Sequence, residues 1–243
     1  MRAIVIAVVA AMFFVGPIRA DDAGVAVIKK AIEAHGGADN LRKARSIRGT
    51  ASGTMYQDGA SITGEIEYVC HLPDYERVTT QITGSPTKVV GIIAKEQLWV
   101  RCGDQFVELS SDERAEKRAG LQRAFVCTLL PLLSDKAYTV SFVGEQAVGA
   151  AKATAVRVQR QKEFETTLYF DNTSGLLVKA EYQGFVGQKR VKKELFYRDY
   201  KAIDGVMRSM TVDLYGDGKL LMKYNVREEK IGQDIKDSEF AKP

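Results

Sequence analysis

The stretch SITGEIEYVC, residues 61–70, alternates apolar and polar side chains along most of its length. A period of two is typical of a β-strand with one dry face and one wet face. The side chains predicted on the dry face are those of Ile62, Ile66, Tyr68 and Cys70. The stretch Leu220–Val226 repeats the pattern, with Met222 on the dry face and Leu221 as the exception. Both stretches therefore predict strands of a sheet that buries one apolar face.

Similar strand patterns cover most of the chain, and short turns separate most of them. The clearest turns are Gln57–Gly59, Asp171–Gly175 and Gly216–Gly218. Because short connections require antiparallel neighbours, about 11–13 strands would form one meandering sheet. A sheet of that size must curl, which predicts a mainly β, incomplete antiparallel barrel around an apolar interior. Strands and helices do not alternate regularly, so Rossmann-like and TIM-barrel folds are excluded.

Two amphipathic segments predict helices that lid the open side of this sheet. The first begins with Asp22 as N-cap and ends at Gly36–Gly37. A short helical turn follows over residues 39–45, so two or three helices are expected in total. The second begins at Ser110, with Glu113 at capping-box spacing, and ends at Pro131. Its apolar stripe consists of Leu121, Ala124, Phe125, Thr128 and Leu129.

The N-terminus predicts export. Residues 1–20 combine a basic start, an apolar run and a small residue before Asp21, as a secretory signal peptide does. An uncleaved membrane anchor is the alternative. Residues 21–243 would then form a single mature domain with an ordinary globular composition, 45% hydrophobic and 27% charged over the whole chain. Losing Arg2 and Arg19 lowers the Lys and Arg count from 35 to 33, against 31 Asp and Glu. This near balance excludes nucleic acid as a partner.

Sequence signals of catalysis and of metal binding are weak. The chain has no Gly-x-Ser-x-Gly motif, no His-Glu-x-x-His motif and only two histidines, His35 and His71. The predicted position of His35 at a helix C-terminus suits the helix dipole and needs no function. Cys70, Cys102 and Cys127 match no metal-binding spacing, and free thiols are expected, with no pairing predicted. We therefore expect a protein without catalytic residues, metal or cofactor.

Three stretches carry a family resemblance: AIEAHGG at residues 31–37, LYFD…GLLV within residues 168–178, and YKAIDGV at residues 200–206. With them the chain resembles the LolA-like superfamily of periplasmic lipoprotein carriers, the outer-membrane lipoprotein-sorting proteins. The resemblance spans most of the mature chain. It implies an apolar cavity for acyl chains, closed by a helical lid. In this family an arginine hydrogen-bonded to the lid backbone keeps the lid shut, and Arg101 is the candidate here.

The resemblance and the strand alternation together predict the ligand-binding residues. Those expected to line the cavity are Ile62, Ile66, Tyr68, Trp99, Phe106, Leu121, Phe125 and Met222. Aromatic and methionine side chains suit apolar ligands because they repack. For Trp99, ordinary core packing is the alternative. A lid that opens would need a hinge, which is expected near Ser110 and Pro131.

The predicted function is that of a soluble periplasmic carrier that binds acyl chains of lipids or lipoproteins and catalyses no reaction. It would act as a monomeric chaperone that moves them toward the outer membrane, between donor and acceptor proteins of the two membranes. No Cys follows the predicted cleavage site, which favours the carrier over a membrane-anchored acceptor. Three alternatives remain open: a sensor of a lipid or peptide signal, an enzyme with a polar cluster in its cavity, and a packed barrel without a ligand.

Overall fold

The computed structural model describes residues 21–57, 59–160, 164–187 and 189–243. The predicted signal peptide, residues 1–20, lies outside the described residues. One antiparallel sheet contains 13 strands. The strands are β1 (Ser46–Gln57), β2 (Ala60–His71), β3 (Tyr75–Ile82), β4 (Lys88–Ala94), β5 (Gln97–Cys102), β6 (Gln105–Phe106), β7 (Tyr138–Val148), β8 (Ala151–Arg160), β9 (Phe164–Asp171), β10 (Leu177–Val186), β11 (Lys189–Ile203), β12 (Val206–Gly216) and β13 (Lys219–Ile231).

The sheet is open, and its strand order explains where it opens. β1 pairs with β13, which joins the first and last strands at the centre of the sheet. The two edges are therefore β6 and β7, which are neighbours in the chain but not in the sheet. The segment between them forms the helices α3 (Ser111–Val126) and α4 (Pro131–Ser134). The prediction of an incomplete antiparallel barrel of 11–13 strands with helices on its open side is confirmed.

The N-terminal helices are α1 (Asp22–Ala34) and α2 (Gly37–Lys43). The N-cap of α1 is Asp21, one residue before the predicted Asp22, because the Asp21 carboxylate accepts hydrogen bonds from the backbone N–H groups of Gly24 and Phe142. After the last helical residue, Ala34, the chain turns at Gly36, where φ is 111° and a Cβ atom would lie 2.0 Å from the Gly205 carbonyl oxygen. Only glycine allows this close approach to the β11–β12 turn.

The two faces of the sheet are covered by different elements. We call the face that carries α1 and α3 the inner face; it holds the largest apolar cluster, in which Ile28 and Ile32 of α1 pack against strands such as β8 and β9. The outer face carries a C-terminal 3-10 helix, Asp237–Phe240, whose Phe240 packs on β4. Among the described residues, no helix has both the length and the apolar character needed to cross a membrane.

Candidate ligand-binding site

An apolar cleft of about 650 Å³ lies on the inner face of β1–β4, β12 and β13. Its walls include the alternating side chains of β2 and the facing side chains of β13. Four of the predicted cavity residues line it: Ile62, Ile66, Tyr68 and Met222. Ligand sites of about 300–1,000 Å³ with mainly apolar walls are the usual size for small-molecule binding.

The floor and the mouth of the cleft follow from two features of the β1–β2 hairpin. Gly53 and Gly64 lie directly opposite each other in the register and add no side chains to the floor. Nearer the turn, the side chains of Met55 and Ile62 are each 53% exposed although both are large and apolar. Exposed apolar groups of this size at the mouth of an apolar cleft are typical of a binding site rather than of a closed core.

Helix α3 borders one end of the cleft, where its Lys117 lines the wall, and it is the segment that the sequence predicts to be a lid. Ser110 and Glu113 form the expected capping box. Few α3 side chains are buried; Leu121 packs with Leu98 and other residues of the sheet, and Phe125 borders the same cluster. Leu121 and Phe125 therefore belong to the lid contact beside the cleft rather than to its lining.

Arginines of the lid hold one side of α3 to the sheet. Arg114 donates hydrogen bonds to the backbone carbonyls of Leu98 at 3.3 Å and Leu109 at 3.2 Å. Arg118 donates to the carbonyl of Lys95 at 3.0 Å, in the β4–β5 turn. These arginines lie on the lid and bind sheet backbone, the reverse of the arrangement that the resemblance implied. In the sequence these arginines are four residues apart on α3, so they lie on one basic face that is separate from the predicted apolar stripe.

On its other side, α3 contacts β10 and β11. Glu116 forms an ion pair with Lys193, 2.7 Å between Oε1 and Nζ, and both side chains are largely buried. The guanidinium of Arg123 lies 3.7 Å from the centre of the Tyr182 ring, a cation–π contact. The lid therefore bridges the two sides of the open sheet through polar contacts along its margins.

Two charged groups of the cleft were not predicted. Glu76 on β3 and Lys117 on α3 both line it. Burial raises the pKa of the Glu76 carboxyl, and the Lys117 ammonium opposes that rise. In the sequence, Glu76 occupies an inner-face position of β3 opposite Cys70, so the register of the β2–β3 hairpin could have identified it.

Three predicted residues lie on the outer face, and their assignment to the cavity or the lid is wrong. Trp99 packs with Phe240 of the C-terminal 3-10 helix. Phe106 is 47% exposed, and the Lys242 ammonium lies 4.6 Å from the centre of its ring. Arg101 is opposite Phe106 in the register and shares this face. The physical reason is that both faces of β5 are covered, so its apolar run does not show which side chains point inward.

The thiols agree with the expectation of free cysteines. Cys70, Cys102 and Cys127 form no disulfide bonds with one another. Cys70 lines the cleft, and burial raises its pKa well above the usual value. Burial also raises the pKa of Cys127. Cys102 is exposed. The two buried thiols are therefore protonated and poor nucleophiles at neutral pH.

The open sheet, the lid between its edge strands and the apolar inner face define a LolA-like fold. A LolA superfamily protein from Nitrosomonas europaea shares it with a TM-score of 0.63 and 15% identity, over 90% of this chain and 97% of that one. A DUF1329 family protein from Desulfovibrio piger matches with a TM-score of 0.59 and 14% identity, over 90% and 98% of the two chains.

A third similar structure, from Vibrio parahaemolyticus, is a domain assigned to the outer-membrane lipoprotein-sorting proteins. It has a TM-score of 0.54 and 9% identity, over 90% of this chain and 97% of that one. No family model matches the sequence. No curated protein matches it either. At these identities the comparisons establish the fold, and the predicted LolA-like fold is confirmed.

Proposed function

We propose that this protein is a periplasmic carrier that binds acyl chains of lipids or lipoproteins in the inner-face cleft. The observation that carries the proposal is an open apolar cleft of about 650 Å³ beside a lid that is attached mainly at its margins. The name of the Vibrio parahaemolyticus neighbour supports lipoprotein sorting as the process. In this proposal the protein catalyses no reaction and moves its cargo toward the outer membrane.

The energetics set what such a carrier requires. Each buried methylene gains about 0.8 kcal/mol relative to water, so an acyl chain of about 16 carbons gains on the order of 12 kcal/mol. A chain that comes from a bilayer leaves one apolar environment for another, and its net gain is near zero. Direction must therefore come from elsewhere. We assign it to donor and acceptor proteins in the inner and outer membranes and to the lid.

The lid contacts are of the right strength for a switch. Hydrogen bonds and ion pairs at a protein surface contribute about 0–1 kcal/mol each. The Arg118 side chain is 34% exposed and its partner Glu96 is almost fully exposed. We infer that contacts of this kind, together with the largely buried Glu116–Lys193 pair and the burial around Leu121, hold a lid that cargo displaces at a cost of a few kcal/mol. The predicted hinges, Ser110 and Pro131, stand immediately before α3 and at the first residue of α4.

Native mass spectrometry of the mature protein, purified from its own cell envelope with and without organic extraction, tests the carrier directly. We expect lipid or acylated protein to co-purify and to be lost on extraction. A clean ligand-free mass, together with no uptake of added fatty acid, would contradict the proposal. Recovery of a stable protein partner without lipid would instead favour a sensor of the same fold.

A lid that is covalently closed tests the role of α3. The change is Glu96→Cys with Arg118→Cys, joined by a short bis-maleimide in a Cys102→Ser background, because Cys102 is the exposed native thiol. We expect cross-linking to slow acyl-chain loading at least about tenfold. The matched control joins Gln159→Cys and Glu165→Cys, a contacting pair on β8 and β9 away from the lid. Equal loading of both cross-linked proteins would exclude α3 as the lid.

A further inference from the structure

A small polar chamber of about 150 Å³ adjoins the apolar cleft. It lies between the C-terminal end of α1 and the inner face of β11, β12 and β13. Tyr68, Val212 and Tyr224 line both the chamber and the cleft, so the two spaces share a wall. A polar group at this depth is not predicted from the sequence, because the alternation of β2 and β13 places mainly apolar side chains on the dry face.

An ion pair between Arg208 on β12 and Glu229 on β13 dominates the chamber. Arg208 Nε lies 2.7 Å from Glu229 Oε2, and Nη2 lies 3.0 Å from Oε1, which is bidentate geometry. This pairing leaves the two N–H groups of Nη1 outside it. The Glu229 side chain is 2% exposed, whereas that of Arg208 is 30% exposed. Since Arg208 lines the chamber, its remaining donors are accessible to a molecule inside it.

The carboxylate of Glu229 also accepts a hydrogen bond from the far side of β1, on the same inner face. Tyr68 on β2 donates a hydrogen bond of 2.8 Å to Glu229 Oε1, and its side chain crosses β1 to do so. Gly49 makes this crossing possible, because a Cβ atom there would lie 2.4 Å from the Tyr68 hydroxyl oxygen. The register places Tyr68, Gly49 and Glu229 opposite one another on three adjacent strands. Glu229 is thus fully engaged, and Arg208 is the member of the pair with donors left.

The chamber carries no net charge. Burial alone would lower the pKa of Arg208, but the neighbouring Glu229 raises it, so the Arg208 guanidinium keeps its charge and that charge is offset by the carboxylate it binds. Burial lowers the pKa of His35 and raises those of Cys127 and Tyr197, so these lining groups are neutral at pH 7. An added anion would lie close to Glu229 without a compensating charge, and an added cation would lie close to Arg208. A neutral hydrogen-bond acceptor meets neither cost.

We propose that the chamber receives the carbonyl oxygen of a neutral ester or amide, which accepts a hydrogen bond from Arg208 Nη1, while the attached acyl chain occupies the cleft. The inference rests on the proposed carrier function and specifies its ligand class: acyl esters or amides rather than free fatty-acid anions. Ester-linked and amide-linked acyl chains share this carbonyl chemistry, and a lipid or an acylated protein could supply it. In this proposal the ligand spans the boundary between the two spaces, which is formed by Tyr68, Val212 and Tyr224.

The test uses methyl hexadecanoate labelled with ¹³C at its carbonyl, bound to the full mature protein. We expect the infrared carbonyl band to shift to lower frequency than in an alkane solvent, which reports a hydrogen bond. The double change Arg208→Met with Glu229→Gln removes both charges and keeps an acceptor for Tyr68. It should weaken ester binding about tenfold or more and return the band to its alkane position.

The matched control is the double change Arg198→Met with Asp213→Asn, which removes an ion pair between β11 and β12 that lies outside the chamber, the cleft and the lid contacts. It should leave the band where it is in the parent protein. An unshifted band in the parent protein overturns the inference even if the Arg208 variant fails to fold. If methyl hexadecanoate and hexadecane bind equally tightly and the carbonyl band is unshifted, this inference is overturned but the proposed carrier function is not. Failure of every acyl ligand to bind overturns both.

Discussion

Helices α1 and α3 lie on the same face of one sheet but bury very different amounts of side chain. Helix α1 has 13 residues, and it buries an apolar stripe of Gly24, Ile28, Ala31 and Ile32. Helix α3 is longer, with 16 residues, yet it buries only Leu121 and Val126. The sheet beneath α1 forms a filled core, whereas the sheet beside α3 leaves a cleft of about 650 Å³. The helix that covers each region therefore decides whether that region of the sheet is packed or left open.

The difference follows from the sequences of the two helices. Residues 111–118 of α3, SDERAEKR, are almost all polar, and charged side chains do not enter an apolar core without partners. They bind the margins of the sheet instead, as Arg114 and Arg118 do. In α1 the buried positions recur at spacings of three and four residues, which places them on one face. Polar residues in the first half of the lid thus keep the cleft open.

The largest expected effect is on the packed region. The change Ile28→Ala removes a fully buried side chain of α1 and should lower the free energy of unfolding by about 2–5 kcal/mol. The matched change Ile62→Ala, at the mouth of the cleft, should cost less than about 0.5 kcal/mol because Ile62 is 53% exposed. Urea denaturation of both variants measures the difference. Similar losses of stability would contradict the division into a packed and an open region.

A second prediction concerns the C-terminal end of α1. His35 Nδ1 lies 2.8 Å from the Ala31 carbonyl oxygen and donates to it, while Nε2 accepts a long hydrogen bond of 3.4 Å from the backbone N–H of Leu177. Burial lowers the pKa of His35, so the neutral ring is the folded form. The stability that His35 contributes is full above its unfolded pKa of about 6.5 and falls as the pH drops below it.

One proton limits the slope of this loss to about 1.4 kcal/mol per pH unit. Urea denaturation between pH 7.5 and 5 measures it, and the change His35→Gln should flatten the curve by that one proton. The control His71→Gln replaces the other histidine of the chain, at an exposed position, and separates the effect of His35 from that of replacing a histidine in general. A loss of stability that persists in His35→Gln would assign the pH dependence to another group. Glu76 would act in the opposite direction, because its raised pKa favours the folded state as the pH falls.

The regions also differ in how far the sequence predicts them. Alternation in residues 61–70 assigns Ile62, Ile66 and Tyr68 to the inner face, because the outer face of β2 is largely polar there. The capping box at Ser110 likewise marks the start of α3 within one residue. These features depend on local chemistry alone. The position of α3 between the two halves of the sheet is likewise predicted from the number of strands and their order in the chain.

Long-range partners are what the sequence does not supply. Trp99 is flanked by Leu98 and Val100, and only the packing of Phe240 from the far end of the chain shows that its face is the outer one. The Arg208–Glu229 pair joins residues 21 positions apart, and the bulge between Thr50 and Ala51 in the β1–β13 pairing changes the face that Glu229 occupies. Neither could be predicted from periodicity, since a bulge changes which face later residues occupy.

The smallest expected effect is a change that should not occur. Trp99 lies on the outer face, so a brominated fatty-acid ester bound in the cleft is separated from it by the backbone of the sheet and should leave its fluorescence nearly unquenched. The variant Trp99→Phe with Ile62→Trp moves the fluorophore to the cleft mouth, and there the same ligand should quench it strongly. Quenching requires near contact, so the pair of proteins reports which face holds the chain. Quenching of Trp99 alone would place the ligand on the outer face, and it would exclude the cleft beside α3 as the binding site.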